Sequence, residues 1–124
     1  MFNLLLVVVG GGIGAGIRHL TSMGALRLVG PNYPWGTIVI NIVGSFAMGL
    51  FIAILARRGG SNELRLFVAT GILGGFTTFS AFSLDFATLW ERGVTLPAFG
   101  YALASVIGAI IALFLGLWLA RTVS

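Results

Sequence analysis

The sequence predicts an all-α membrane protein with four transmembrane helices, and three observations lead to that prediction. Seven basic and three acidic residues make up only 8% of the 124-residue chain, and 58% of the residues are hydrophobic. Soluble domains carry about 25% charged residues. The charged positions leave four uncharged stretches, at residues 1–17, 28–56, 66–84 and 93–120, and a helix needs about 20 apolar residues to cross a bilayer. These observations exclude soluble and nucleic-acid-binding proteins.

The four spans follow one another closely, with short turns marked by glycine, proline and asparagine. The first turn is the segment from Gly30 to Pro34, the second lies between Gly59 and Asn62, and the third leads from Gly93 to Pro97. We therefore expect residues 1–124 to form a single transmembrane domain. In chain order, the predicted spans cover about residues 2–24, 34–56, 64–90 and 95–121.

The arginines bear on how the chain is oriented. All seven basic residues are arginines at or near span ends, which indicates membrane interfaces and no nucleic-acid partner. An even number of spans places both termini on one side, and the two sides are nearly balanced in positive charge. Either the chain inserts both ways, which makes an antiparallel homodimer possible, or Arg57 and Arg58 alone hold the termini inside. The side of the termini carries Arg57, Arg58, Arg65 and Arg121, and the other carries Arg27, Arg92 and, if it reaches that interface, Arg18.

Small residues recur at every fourth position in two of the spans. Such residues let helices approach closely in lipid, so we expect both rows to be buried. Asn41 stands in the second-span row, where its amide needs a partner or water. It either forms a hydrogen bond between helices or lines a pore as a donor. The rows are Thr37, Asn41, Ser45, Gly49 and Ala53 in the second span, and Gly100, Ala104, Gly108, Ala112 and Gly116 in the fourth.

The glycines of the first span superficially fit a dinucleotide-binding fingerprint. No acidic residue precedes Glu63, and the composition is that of a membrane protein, so this interpretation is rejected. The glycines instead predict close helix contacts, through Gly10 and Gly14 or through Gly12 and Gly16.

No set of residues in the chain predicts an enzyme. The one histidine, His19, has no partner at metal-ligand spacing, and no nucleophile motif is present. The neighbouring Arg18 has two interpretations. It is either a last-turn residue that extends to the interface, or a fixed positive charge that draws anions toward a vestibule.

The third span has the most informative sequence. Gly74 and Gly75, followed by Thr77 and Thr78, form a place where a transmembrane helix breaks near its middle. Carbonyl oxygens freed by a break are ligands for a hard cation, and an exposed helix start favours an anion. An ion is therefore expected at this position.

Two phenylalanines follow the break three positions apart, together with two serines. Aromatic ring edges are positively polarised, so Phe79 and Phe82 with the hydroxyls of Ser80 and Ser83 are suited to hold an anion without a full positive charge. The alternative is an ordinary lipid-facing or packing stripe that consists of Phe76, Phe79, Phe82 and Phe86.

These motifs resemble those of the Fluc fluoride channels, also called CrcB proteins. The most specific parts are Trp35-Gly36-Thr37 with Asn41, and the segment from Gly71 to Ser83; the resemblance covers nearly the whole chain. It implies passive, fluoride-selective export from the cytoplasm across the bacterial inner membrane. It also implies an antiparallel, dual-topology homodimer in the lipid bilayer, with two anion pathways and a central structural sodium ion.

The same resemblance implies roles for individual residues. The backbone carbonyls of Gly74 and Thr77 are similar to the family's sodium ligands, and Arg18 matches its vestibule arginine. Ala109 stands where some members have a serine, so that end of the polar track is expected to be less polar. The residues expected along the anion pathway are Asn41, Thr78, Phe79, Ser80, Phe82, Ser83, Tyr101 and Ser105.

Two other functions stay open on the sequence alone. A small dual-topology exporter driven by protons needs a titratable carboxylate near the middle of the membrane, and Asp85 is the candidate within a span. An accessory subunit of a larger membrane complex would not require the polar break in the third span.

Overall fold

The computed structural model describes residues 1–123, and every element in that range is helical. Four segments are long and apolar enough to cross a membrane, which confirms the prediction of four membrane-spanning helices. The first, second and fourth spans are the single helices α1 (Phe2–Val29), α2 (Trp35–Arg58) and α6 (Thr95–Val123). The third span consists of α3 (Asn62–Arg65), a π-helical segment (Leu66–Leu73), α4 (Gly74–Phe76) and α5 (Ser80–Glu91).

The first helix is longer than the sequence predicts. It ends at Val29 and not near residue 24, because the residue that stops it is Gly30, at a φ of 81°. Glycine adopts a positive φ without the steric cost of a Cβ atom, and the Gly30 N–H bonds to the carbonyl oxygen of Leu26 at 3.0 Å. Arg18 therefore lies about three turns before the end of α1, and its interpretation as a last-turn residue is wrong.

The third span is interrupted at Thr77, which confirms the predicted break near the middle of this helix. Thr77 has an extended backbone, with φ −81° and ψ 159°, and α5 begins only at Ser80. Before the break, Leu66–Leu73 is wound as a π-helix. Such i to i+5 turns are rare and occur frequently at functional sites.

The first span packs against the first half of the third span through its glycines. Gly10 and Gly14 are buried, and a Cβ atom on Gly14 would collide with the carbonyl oxygen of Ile72. Gly12 and Gly16 face open space. Of the two glycine pairs that the sequence allows, the contact therefore uses Gly10 and Gly14.

The most extensive helix interface joins α2 and α6. A Cβ atom on Gly49 would meet the backbone of Leu113, and a Cβ atom on Gly116 would meet the backbone of Phe46. The two helices therefore touch at the level of the main chain, as small residues permit in lipid.

The fourth-span row of small residues is buried over only part of its length within a single chain, so the packing of one chain alone does not give the full burial that the spacing predicts. Ala112 and Gly116 are buried, whereas Gly100 and Ala104 are exposed. Four residues turn a helix by about 400°, so a strict repeat of four rotates by about 40° per step and leaves the interface. The buried face instead follows Ala98, Tyr101, Ser105, Ala112 and Ala120.

A small core closes the end of the bundle that carries the first and third turns. Tyr33, in the first turn, packs against this core and donates its hydroxyl to the carbonyl oxygen of Pro97 at 3.0 Å. Burial raises the pKa of Tyr33, so the hydroxyl stays protonated and remains a donor. The buried members of the core are Ile38, Leu89, Ala98 and Tyr101.

Candidate ion-binding site

The break in the third span is held by a side chain of α2. Asn41 donates from Nδ2 to the carbonyl oxygen of Thr78 at 3.1 Å, and its Oδ1 accepts from the Thr78 N–H at 3.0 Å. These two bonds replace the helical partners that the backbone of Thr78 has lost. The hydrogen bond between helices, one of the two interpretations of Asn41, is therefore present.

Two carbonyl oxygens at the break are left without a hydrogen-bond partner. In a continuous helix the Gly74 oxygen would accept from the Thr78 N–H, but that N–H is bound to Asn41. The Thr77 oxygen would accept from the Ala81 N–H, which bonds to the Thr78 hydroxyl at 3.2 Å. Throughout residues 1–123, no donor bonds to either oxygen.

A cleft of about 440 Å³ opens beside the break, between α2, α5 and α6. It brings together seven of the residues predicted for the site, with Gly74 and Thr77 among them. Its lining consists of Asn41, Ser45, Gly74, Thr77, Thr78 and Ser105 on the polar side, and of Phe79, Phe82, Val106, Ala109 and Ile110 on the apolar side.

Ser105 brings a buried hydroxyl to the wall of the cleft. The residue is only 3% exposed, and its Oγ makes no hydrogen bond of good geometry among residues 1–123, although the Tyr101 side chain lies close enough to interact with it. Leaving a buried hydroxyl unpaired is costly, so Tyr101 and a ligand in the cleft are the two partners open to this group. Ala109, one turn further along α6, adds only a methyl group to the lining.

The two phenylalanines after the break lie together on the cleft. Their ring centroids are 5.4 Å apart. Phe82 also stacks on Tyr101, with centroids 5.3 Å apart, whereas Phe79 is 75% exposed. Phe79 fills no space in the core of this chain, so packing within the chain does not explain this ring; its exposure fits a lipid-facing position as well as a site for an anion.

The other two phenylalanines of the predicted stripe have different surroundings. Phe76 precedes the break and is buried against α2, where a Cβ atom on Gly44 would lie 3.1 Å from its ring. Phe86 packs against Trp90 and Phe99 at the far end of α5. The break therefore divides the stripe, and only Phe79 and Phe82 face the cleft.

A hydrogen-bonded cluster that the sequence analysis did not anticipate lies behind Phe82. Asp85 Oδ2 accepts from the Thr37 hydroxyl at 2.7 Å and from the Tyr101 hydroxyl at 3.0 Å. Tyr101 is fully buried and does not line the cleft itself. The three polar residues are visible in the sequence, but their meeting depends on how α2, α5 and α6 pack.

The structure does not bring Ser80 and Ser83 into the cleft. Both are exposed, on a face of α5 rotated by about 100° from the two phenylalanines. The Ser83 hydroxyl donates to the carbonyl oxygen of Phe79 at 3.1 Å, and Ser80 Oγ lies 3.4 Å from the Thr78 hydroxyl. Thr78, in contrast, lines the cleft.

A second cavity, of about 230 Å³, lies on the α1 side of the break. Arg18 lines it with His19, Ser22, Thr37 and Thr78. In the described part of the chain, the Nε atom of Arg18 is buried without a hydrogen-bond partner. Because Thr78 lines both this cavity and the cleft, Arg18 places a positive charge next to the cleft.

These features define a class of protein: a small four-span membrane protein whose third helix is interrupted and leaves polar groups unpaired beside a cleft. Residues 5–117 match the family model described as CrcB-like protein, Camphor Resistance (CrcB), and the chain belongs to this family. The resemblance inferred from the sequence motifs is thereby confirmed.

Curated relatives match the chain over nearly its whole length. It is 94% identical over 122 residues to the fluoride-specific ion channel FluC of Mesorhizobium japonicum, with 98% of each chain covered. It is 60% identical to the protein of the same name from Chelativorans, with 99% of each covered, and 54% identical to that of Agrobacterium fabrum, with 98% of each covered. Together with the four spans, these relatives identify a multi-pass protein of the bacterial inner membrane.

Proposed function

We propose that this protein is a fluoride-selective channel through which fluoride leaves the cytoplasm passively. The observation that carries the proposal is the cleft beside the break, which Phe79, Phe82 and Ser105 line together without any charged side chain. Relatives that cover the same length are named fluoride-specific ion channels.

The chemistry of the cleft fits a small anion in transit. Positively polarised ring edges and a hydroxyl donor attract an anion, but none of the residues that line the cleft carries a full charge. Conduction needs binding that is strong enough to admit the ion and weak enough to release it. Arg18, beside the cleft, adds the long-range attraction that brings anions to its entrance.

The functional unit is an antiparallel homodimer. The cleft is open on one side, with Phe79 largely exposed and two carbonyl oxygens unpaired. Backbone polar groups at membrane depth are not tolerated against lipid, so a second copy is needed to cover them. The nearly balanced arginines allow the two copies to insert in opposite orientations.

Orientation-locked variants test the dimer. Two lysines added to either terminus should lock the chain in one orientation through the positive-inside rule. Each locked form is expected to be inactive alone, and a mixture of opposite forms should conduct. Full fluoride flux from a single locked form would exclude the antiparallel dimer.

The break also supplies ligands for a structural sodium ion at the dimer centre. The carbonyl oxygens of Gly74 and Thr77 have no other partner, and hard cations are bound through oxygen ligands of this kind. Among residues 1–123, no group of three or more His, Cys, Asp or Glu side chains is placed to hold a metal ion. A monovalent cation held by carbonyl groups alone therefore fits this donor set, and when bound it would add positive charge between the two subunits.

The alternative is a proton-coupled exporter, with Asp85 as its proton carrier. The names of the relatives favour a channel. The two functions differ in whether fluoride movement depends on a proton gradient.

Fluoride efflux from proteoliposomes that contain only this protein tests the function. We expect a fluoride electrode to record rapid efflux down the fluoride gradient, and a chloride electrode to record little efflux from vesicles loaded with chloride instead. Flux that appears only with an imposed proton gradient would favour the exporter. Absence of flux from dimeric, folded protein would refute the channel.

A further inference from the structure

A positively charged surface lies at the end of the bundle where α2 ends and the third span begins. It consists of four exposed arginines, of which Arg57 and Arg121 are linked: the Arg57 guanidinium donates to the main-chain carbonyl of Arg121 at 2.5 Å. Glu63 is the one acidic residue near these arginines in the sequence. The arginines of this surface are Arg57, Arg58, Arg65 and Arg121.

Two of these arginines have no partner within the protein. Across the described residues 1–123, the guanidinium groups of Arg58 and Arg65 make no hydrogen bond or ion pair. At the opposite end of the bundle, Arg92 is engaged by the main-chain carbonyl of Asn32 at 3.0 Å. The charge at Arg58 and Arg65 is therefore free to meet an external anion.

A cleft of about 420 Å³ adjoins this surface, between the last turns of α2 and the start of the third span. One side of the cleft is apolar and is formed by Ile52, Leu55 and Ala56, which lie within a membrane-spanning helix. The other side is polar and contains Ser61, Asn62 and Arg65. Apolar and cationic surfaces thus meet at the level where the span leaves the membrane.

We propose that this cleft binds an anionic phospholipid. The phosphate group would lie against Arg65, which lines the cleft, with Arg58 on the adjoining surface, and an acyl chain would follow Ile52 and Leu55 along α2. Anionic lipids are attracted to basic residues at the membrane surface, and the apolar wall of the cleft provides a contact that a soluble phosphate ion does not use. The site is separate from the ion cleft and does not depend on the proposed function.

Native mass spectrometry of the purified full-length protein in detergent tests this site. Phosphatidylglycerol and phosphatidylcholine with identical acyl chains would be titrated separately. We expect preferential adducts with phosphatidylglycerol, weakened about tenfold in the Arg58→Gln/Arg65→Gln double variant. The Arg27→Gln/Arg92→Gln double variant removes the same charge from the other end and should keep the preference.

Two further measurements keep the test decisive. The Arg58→Lys/Arg65→Lys variant retains both charges and should retain binding, and size-exclusion profiles verify that each variant is folded. Equal binding of the two lipids, or unchanged binding in the glutamine variant, would overturn the proposal. So would inorganic phosphate that displaces the lipid at equal concentration, since the site would then be one for a soluble anion.

Discussion

The two faces of α2 are built in opposite ways. On the face toward α6, Gly49 permits contact between main chains and leaves no space. On the face toward the third span, Asn41 braces a broken helix beside an open cleft with unpaired carbonyl and hydroxyl groups. The filled face provides stability, whereas the unpaired polar groups of the open face reduce it.

The largest expected effect concerns the filled face. Gly49→Val would drive a side chain into the carbonyl oxygen of Leu113, with no flexible neighbour to yield. We expect a loss of about 3 kcal/mol or failure to fold, measured by thermal unfolding and size-exclusion chromatography. Gly12→Val, at a glycine that faces open space, should change stability by less than about 0.5 kcal/mol. Normal stability in Gly49→Val would contradict the close contact.

On the open face, Phe→Ile substitutions should affect transport more than folding. Ile keeps the apolar bulk and removes the positive ring edge, so fluoride efflux should fall by about tenfold or more in Phe79→Ile and Phe82→Ile. The stability change should stay within about 1.5 kcal/mol.

Phe86→Ile is the matched control for these two variants, because Phe86 lies on the same helix outside the cleft. Phe76 is unsuitable, since it is buried before the break. Wild-type flux in both Phe79→Ile and Phe82→Ile would remove the rings from the mechanism.

Removal of the Asn41 side chain, which holds Thr78 by two hydrogen bonds, is expected to have an intermediate effect on stability. Asn41→Ala leaves the N–H and carbonyl groups of Thr78 unpaired, which should cost about 2 kcal/mol in unfolding free energy. Ser45→Ala, in the same cleft but without a hydrogen bond among residues 1–123, should cost much less. Denaturant unfolding would measure the free energy of unfolding of both variants. Equal values would contradict a stabilising role of the hydrogen bonds between Asn41 and Thr78.

The smallest expected effect is at Thr77. Its hydroxyl donates to the carbonyl oxygen of Leu73, which already accepts the Thr77 N–H at 3.0 Å. Thr77→Val should therefore keep its fold and retain the sodium ion bound through carbonyl groups. A crystal grown in sodium buffer would show this ion, and its loss from a folded Thr77→Val dimer would contradict carbonyl coordination.

Local features of this molecule could be read from the sequence, and features that depend on helix rotation could not. The spans and the break follow from uncharged stretches and the glycines and threonines of the third span. The length of α1 depends on which residue stops the helix, and the exposure of Gly100 depends on how far α6 rotates along its length. Residue spacing alone fixes neither of them.

The same reason explains which site residues were predicted. Phe79 and Phe82 are three apart on one helix, so their shared face follows from the helical repeat. The cluster of Thr37, Asp85 and Tyr101 joins three helices, and no local pattern pairs them. Ser83 is the opposite case. Its spacing suggested a place in the site, but its hydroxyl bonds to the carbonyl oxygen of Phe79 and does not reach the cleft.

Because Asn41 of α2 holds the main chain of Thr78 in the third span, the geometry of the cleft depends on both of these segments. The shape of the break is set from α2, and α2 is itself fixed in place by main-chain contact with α6. A small displacement at the contact between Gly49 and α6 would move α2 as a rigid body. It would thereby change the distance between the free carbonyl oxygens and the hydroxyl of Ser105. Residues far from the cleft therefore help to set its dimensions.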